Sequence, residues 1–318
     1  MDIPKGGIAF FDSGIGGLTV LAECRKRLPN ELFYYFGDNS HAPYGNLLEK
    51  KIKKYTFRAF RRFKNLQVKA VVIACNTVTA VCIEELRKKY SFSIIGAEPA
   101  LYLASRETKG EIFALMTAAT YNSARVRNLA KRCRADYPNA NVRLCPCVHL
   151  ASEIERHISA GNYNYRPFLP QGTPAAVVLG CTHYIYIKEY IQNFYGCCCY
   201  DGNQGIAQRL CDELCKNDDE QRKKKDKIDE KSGKNWGEQP QNRDERPPKK
   251  NWGAFWWFFM SKFVVFTKCK KSTYTNKCSR TLGNAIKQKT ESKRGAAIFF
   301  LGKRKKYNER IYKQMFVF

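Results

Sequence analysis

No stretch of this 318-residue sequence stays apolar for the roughly 18 residues that a membrane-crossing helix needs. The nearest is Gly253 to Phe266, rich in Phe and Trp, which is too short and is broken by Lys262. A spanning helix is excluded there, and an interfacial segment is left open. The N-terminal Met1-Asp2-Ile3-Pro4-Lys5-Gly6-Gly7 lacks the charged start and apolar stretch of a secretory leader. The 14 cysteines are therefore read as reduced thiols of a cytoplasmic protein, and a disulfide framework is not expected. Zinc-ligand spacing is missing as well. Cys145-Pro146-Cys147 has no second pair nearby, and Cys197-Cys198-Cys199 is a consecutive run, so no metal site is expected. Acidic residues are scarce, 29 against 56 Lys and Arg, for a net charge of +27.

That surplus is uneven. Residues 216–318 hold 28 Lys and Arg against 11 Asp and Glu, while residues 1–215 hold 28 against 18. Residues 216–251 are Lys, Asp, Glu, Gln, Asn and Pro with almost no apolar content, the composition of a disordered linker. The tail is read as a basic, solvated, disordered segment of low complexity, with nucleic acid or an anionic surface as the competing partner for its charge.

Before that point, strand-like and helix-like segments alternate. Gly7–Phe11, Leu32–Phe36, Ala70–Ala74 and Ser93–Gly96 read as strands, with helices over Gly17–Leu28, Leu47–Leu66 and Thr79–Tyr90 between them. A second series has strands at Glu111–Met116, Val142–Cys145 and Ala175–Gly180, and helices at Ser123–Ala135, His149–Ala160 and Tyr184–Phe194. A further helix is expected over Gly205–Cys215. The fold class is α/β: two similar domains, each a parallel sheet flanked by helices.

Two of these strands end alike, in Ala74-Cys75-Asn76-Thr77 and in Gly180-Cys181-Thr182-His183. The carboxyl ends of strands are where open α/β sheets bind ligands. A thiol placed just before a helix has its pKa lowered by the helix dipole. Two matched thiols suggest one site with a sulfur on each side, an arrangement for taking a proton from one face of a carbon and returning one to the other. His183 is placed to support Cys181. The first strand ends in Asp12-Ser13-Gly14-Ile15-Gly16-Gly17-Leu18. Thr19 stands where a dinucleotide fingerprint needs glycine, so a carboxylate or phosphate site is the better reading of this loop. Asp12 can act as a base or orient one. The loop Gly37-Asp38-Asn39-Ser40-His41-Ala42-Pro43-Tyr44-Gly45 contains a Pro-Tyr-Gly turn.

Taken together, Asp12–Leu18, Gly37-Asp38 with Pro43-Tyr44-Gly45, Ala74–Thr77 and Gly180–His183 resemble the glutamate racemases of the cofactor-independent aspartate/glutamate racemase superfamily, over about residues 6–215. The resemblance implies an active site in the cleft between the domains, with one acid/base cysteine from each. Cys75 would serve D-glutamate and Cys181 L-glutamate, with Asp12 supporting Cys75 and His183 supporting Cys181. Asp12, Ser13, Tyr44, Gly45, Asn76, Thr77, Thr182 and His183 would contact the amino acid. Thr117, Thr120 and Ser123 fit the family's threonine-rich loop, and Glu153 fits its acidic helix position. The resemblance implies racemisation of L-glutamate to D-glutamate for bacterial peptidoglycan synthesis. Direct two-base catalysis needs no cofactor, and no Lys sits where it argues for a pyridoxal Schiff base.

The expected division is a first domain over residues 1–97 plus about 200–215, a second over 98–199, and the charged tail over 216–318. A homodimer is left open. The competing readings are an aspartate racemase of the same superfamily and a degenerate racemase fold kept as a basic binding protein.

Overall fold

A computed structural model describes residues 6–158, 162–231, 265–268 and 296–301 of the chain. The described strands form two sheets, parallel throughout. In the first, β1 (Ile8–Asp12) lies between β2 (Phe33–Gly37) and β3 (Ala70–Ile73), with β4 (Ser93–Gly96) beyond β3. The second places β5 (Gly110–Met116) between β6 (Ala140–Pro146) and β7 (Ala176–Gly180), and β8 (Cys198–Tyr200) beyond β7.

The near-continuous apolar character of the central strands follows from burial on both faces. Alternate residues of β1 serve opposite cores. Ile8 and Phe10 pack with α1 (Leu18–Arg27) and with Ile206, Ala207 and Leu210 of α9 (Asn203–Lys231). Ala9 and Phe11 pack with α2 (Glu49–Asn65) and α3 (Asn76–Lys89). The second sheet repeats the plan. Ile112 and Ala114 pack against α4 (Leu101–Glu107) and, after the short α5 (Ala118–Tyr121), against α6 (Ala124–Asp136). Phe113 and Leu115 face α7 (Leu150–His157) and Ile191 of α8 (Lys188–Tyr195).

Most expected elements are found within two or three residues of their ends. The third helix begins at Asn76, immediately after the thiol, three residues before the expected start. The helix expected over Tyr184–Phe194 is split into a 3-10 turn over Thr182–Ile187 followed by α8. Helix α4 and strand β8 are additions to the expected order.

The chain does return to the first unit after β8. α9 packs on α1 through Ile206, Ala207, Leu210 and Leu214 and continues to Lys231, past the expected end at residue 215 and into the stretch read as linker. The sequence has a helical reason for this: Asp218, Asp219 and Glu220 stand four residues before Arg222, Lys223 and Lys224, the favourable order for acid–base pairs on a helix. Two tail segments, β9 (Val265–Lys268) and β10 (Ala296–Leu301), extend the first sheet beyond β2, with Phe299 in register with Phe36. The rest of the charged tail, including most of the aromatic run from Gly253, lies outside the described residues. Among the described residues no helix is long and apolar enough to cross a membrane.

Candidate active site

Residues Asp12 and Gly37 end neighbouring strands in register, and Ala74 bonds to the Phe11 carbonyl, so the loops after β1, β2 and β3 open at one edge. Cys75 is the residue before α3 and is buried. Its sulfur lies 3.6 Å from the Ser13 hydroxyl. Asp12 is fully buried. One carboxylate oxygen accepts from the Gly14 N–H at 3.0 Å, and the other accepts from the Thr182 hydroxyl at 3.3 Å. That second bond spans the two sheets and brings the loop after β7 against the loop after β1.

Cys181, also buried, precedes the 3-10 turn that opens with Thr182. Its sulfur is 3.8 Å from Nδ1 of His183, which is itself buried. The other ring nitrogen, Nε2, faces the Glu155 carboxylate at 3.9 Å, beyond hydrogen-bond distance. Glu155 is buried and sits on α7.

The two thiols share one electrostatic neighbourhood, since the charge of Asp12 acts on both and that of Cys75 acts on Cys181. Burial pushes Cys75 up to about 11; the Asp12 carboxylate adds to the rise, while N–H groups of Val78 and Ser13 and the Ser13 hydroxyl oppose it. Cys181 is pushed well above its ordinary value, first by burial and then by Cys75 and Asp12, against the N–H groups of His183 and Tyr184. The helix-start effect expected to lower these thiols is present, but the loss of water outweighs it. Both sulfurs are therefore held as neutral thiols at neutral pH. A space of about 10 Å³ beside Cys181 is lined by Asn76 and Thr182 and, on the side of α1 and α9, by Val20 and Ile206.

Thr77, Thr117 and Thr120 form a buried hydroxyl cluster, with oxygens 2.9 Å apart for Thr77–Thr117 and 3.0 Å for Thr117–Thr120. This places the loop after β5 on the start of α3. Gly45 joins it there: a Cβ at this position would meet the Thr117 side chain at 2.6 Å, so only glycine permits the approach. Tyr44, fully buried, donates to Asp38 at 2.6 Å. Asn76 keeps a buried side-chain oxygen without a hydrogen-bond partner among the described residues, a group available to a ligand. Ser123 caps α6 by accepting from the Val126 N–H.

Glu153 has partners on and beside its own helix. The Glu153 carboxylate accepts from Tyr163 at 2.6 Å, pairs with Arg156 and lies 3.6 Å from His157. The carboxylate that faces His183 is that of Glu155, two residues further along the same helix. Asp38 likewise has a larger place in the structure than its turn suggested. Among the described residues no cluster of His, Cys, Asp and Glu has the form of a metal site.

Two parallel-sheet units that meet around a pair of buried thiols, one carboxylate and one histidine define an α/β enzyme built for acid–base chemistry. The chain belongs to the Asp/Glu/Hydantoin racemase family, which it matches over residues 19–210. It is 40% identical over 227 residues to the glutamate racemase of Clostridium novyi, covering 68% of this chain and 86% of that one. Identity is also 40% to the glutamate racemase of Clostridium kluyveri, covering 68% and 87%. Among solved structures it is similar to Escherichia coli glutamate racemase in complex with L-glutamate and the activator UDP-MurNAc-ala, with a TM-score of 0.58, 27% identity and coverage of 65% and 82%. Glutamate racemase of Francisella tularensis in complex with D-glutamate gives a TM-score of 0.56 and 29% identity, with coverage of 68% and 83%.

Proposed function

We propose that this protein interconverts L-glutamate and D-glutamate by direct proton transfer between the substrate Cα and two thiols. The observation that carries the reading is the pairing of Cys75 and Cys181 about Asp12, whose carboxylate is bonded to the loops of both units. In the forward direction the Cys181 sulfur, as thiolate, takes the α-proton of L-glutamate on one face. The Cys75 thiol delivers its own proton to the opposite face. The C–H bond broken on one side is replaced by one formed on the other, with no change of oxidation state. Cys181 finishes as thiol and Cys75 as thiolate, and the reverse reaction begins from that state.

Because burial holds both sulfurs protonated, one thiol must be deprotonated before turnover. Asp12 is the acceptor beside Cys75, and His183 is the acceptor beside Cys181. The α-proton is weakly acidic, since the neighbouring carboxylate is already negative, so donors fixed on that carboxylate in a water-poor cleft supply a large part of the barrier lowering. Asn76, the Thr77–Thr117–Thr120 hydroxyls and the turn at Tyr44-Gly45 supply those polar contacts in this reading.

The reading divides the chain near residues 97 and 199, with one thiol from each part, so each protomer is complete whether the protein is a monomer or a homodimer. It places the reaction in the cytoplasm, and D-glutamate for bacterial peptidoglycan is the role it implies. Circular dichroism of L-glutamate solutions, with no cofactor added, tests the activity. Decay of the signal to zero supports it. An unchanged signal with glutamate, and decay with L-aspartate, would instead make the protein an aspartate racemase.

A further inference from the structure

Asp38 ends the loop entry from β2 as a buried carboxylate, and its side-chain bonds go to one short segment. Oδ2 accepts from the Tyr44 hydroxyl at 2.6 Å. His41 Nδ1 lies 3.0 Å from Oδ1 and 2.9 Å from Oδ2. Its backbone is tied at both ends, with Asp38 N–H donating to the Asp12 carbonyl and His41 N–H donating to the Asp38 carbonyl. The His41 ring in turn stacks on Tyr55 of α2, centroids 3.7 Å apart and planes 19° apart. One carboxylate thus gathers residues 41–44 and anchors them to β1 and to α2.

The segment so held is the one that carries Gly45 to its close approach on Thr117 of the second unit. Tyr44 lies near enough to Asp12 and Cys75 to feel both charges, and together with Asp38 and burial they keep its hydroxyl protonated, a permanent donor. A buried tyrosine hydroxyl needs a partner, but any neutral acceptor would serve packing. A carboxylate is a costly choice in a buried region that already holds Asp12 and must accept an anionic substrate. What a carboxylate adds is a short, charge-assisted bond of roughly twice the strength of a neutral one, and two donors fixed at once.

Resting on the glutamate reading above, we propose that Asp38 is a positioning residue of the active site: through the hydroxyl of Tyr44 and the ring of His41 it sets the Tyr44-Gly45 turn against Thr117, and so fixes the place of the bound amino acid. Asp38 does not itself touch the substrate. Its loss therefore loosens substrate binding more than it slows proton transfer.

The experiment is steady-state racemisation of L- and D-glutamate by wild type, Asp38→Asn, Tyr44→Phe and the double variant, with melting temperature recorded for each. Asp38→Asn and Tyr44→Phe are each expected to raise KM about tenfold, the effect of losing one hydrogen bond to a charged group, while kcat stays within about threefold. The double variant is expected to resemble the worse single variant, because both changes remove one interaction. Tyr44→Phe preserves the packed ring, so its KM decides the matter if Asp38→Asn does not fold. A KM within twofold of wild type in the folded variants, or a double variant whose effect is the product of the two, overturns the proposal. Wild-type protein without glutamate racemisation would overturn the parent reading and this one with it; active wild type with unchanged KM in the variants overturns this one alone.

Discussion

His183 Nε2 and Glu155 Oε2 face each other at 3.9 Å, both buried, while Nδ1 of the same ring points to the Cys181 sulfur at 3.8 Å. The ring therefore stands between a carboxylate and a thiol. The Glu155 charge faces the ring across that gap, and the nitrogen on the thiol side is the one placed to exchange a proton with Cys181. Glu155→Gln keeps shape and removes charge. It is expected to lower kcat by up to about 100-fold, the scale of a misplaced acid–base group. Glu153→Gln is expected to leave kcat within about threefold, since that carboxylate is bonded to Tyr163 and Arg156. Parallel kinetics of the two variants check this, and equal losses would show that Glu155 has no special place.

Glu155 shows where the sequence stops being legible. The thiols, Asp12 and His183 are readable because each lies at or within three residues of the carboxyl end of a strand, and strand ends in a parallel sheet converge whatever the intervening helices do. An acid inside a helix has no such anchor. At 100° per residue, a shift of two positions turns a side chain to the far side of the helix, and the loop from Pro146 to α7 sets that phase. Asp38 was hidden for a different reason: its partners, Tyr44 and His41, lie in a turn whose path no periodicity encodes. The long α9 was cut short because low hydropathy suggested a linker, whereas its acid–base spacing suits an exposed helix. The parallel character of the first sheet is implicit in the alternation, but the addition of β10 beside β2 is not, since a long charged stretch precedes it.

The two thiols should separate by enantiomer. Cys75→Ser and Cys181→Ser are each expected to reduce racemisation by about 10²–10⁴-fold, the usual range for losing a general acid–base group. The equilibrium constant of a racemisation is one, so kcat/KM falls equally in both directions and cannot assign faces. Solvent exchange can. In deuterium oxide, Cys75→Ser should still exchange the α-proton of L-glutamate through Cys181, and Cys181→Ser should still exchange that of D-glutamate through Cys75. Proton NMR of each enantiomer reads the result. Full racemisation by either variant would end the two-thiol mechanism.

Alkali should unfold the protein through its thiols. Burial raises Cys24, Cys82 and Cys147 to about 12, and Cys75 and Cys145 to about 11, from an ordinary value of 9.0. Above pH 9 the unfolded chain releases these protons while the folded chain keeps them, so the unfolded state binds fewer protons and stability falls as pH rises. The stabilisation is complete below pH 9 and is lost progressively as the pH passes through the folded values, toward about 12. Melting curves from pH 8 to pH 11 should show a steady fall in melting temperature. A flat profile would mean that water reaches these sulfurs in the folded state.

The contact between the two units should be sensitive to a single methyl group. Gly45→Ala would place a carbon 2.6 Å from the Thr117 side chain, so either the turn or the second unit must give way. Overpacking of this kind costs about 1–3 kcal/mol, and here it falls on the contact between Gly45 and Thr117 beside the site, so kcat/KM should drop about 10- to 100-fold with a smaller change in melting temperature. Gly205→Ala is the control. Nothing lies within 4 Å of a Cβ there, and the residue is in the exposed first turns of α9. That change should leave activity intact and raise stability by about 0.5–1 kcal/mol.

The return of the chain to the first unit should matter for stability rather than chemistry. Leu210 is fully buried on α9 and packs with Val20, Leu21 and Cys24 of α1, far along the chain from either thiol. Leu210→Ala is expected to cost about 2–5 kcal/mol, the range for a buried leucine that leaves a cavity. Chemical denaturation should show that loss with the slope unchanged, as two-state unfolding of the same surface requires. The folded fraction should racemise with a KM close to wild type, because β1 and its loop stay anchored by β2 and β3. Leu48→Ala, at a side chain 72% exposed, should change neither quantity. If Leu210→Ala instead lost activity without losing stability, α9 would be coupled to the cleft directly, through Gly202 and Asn203, which line the same small space as Cys181.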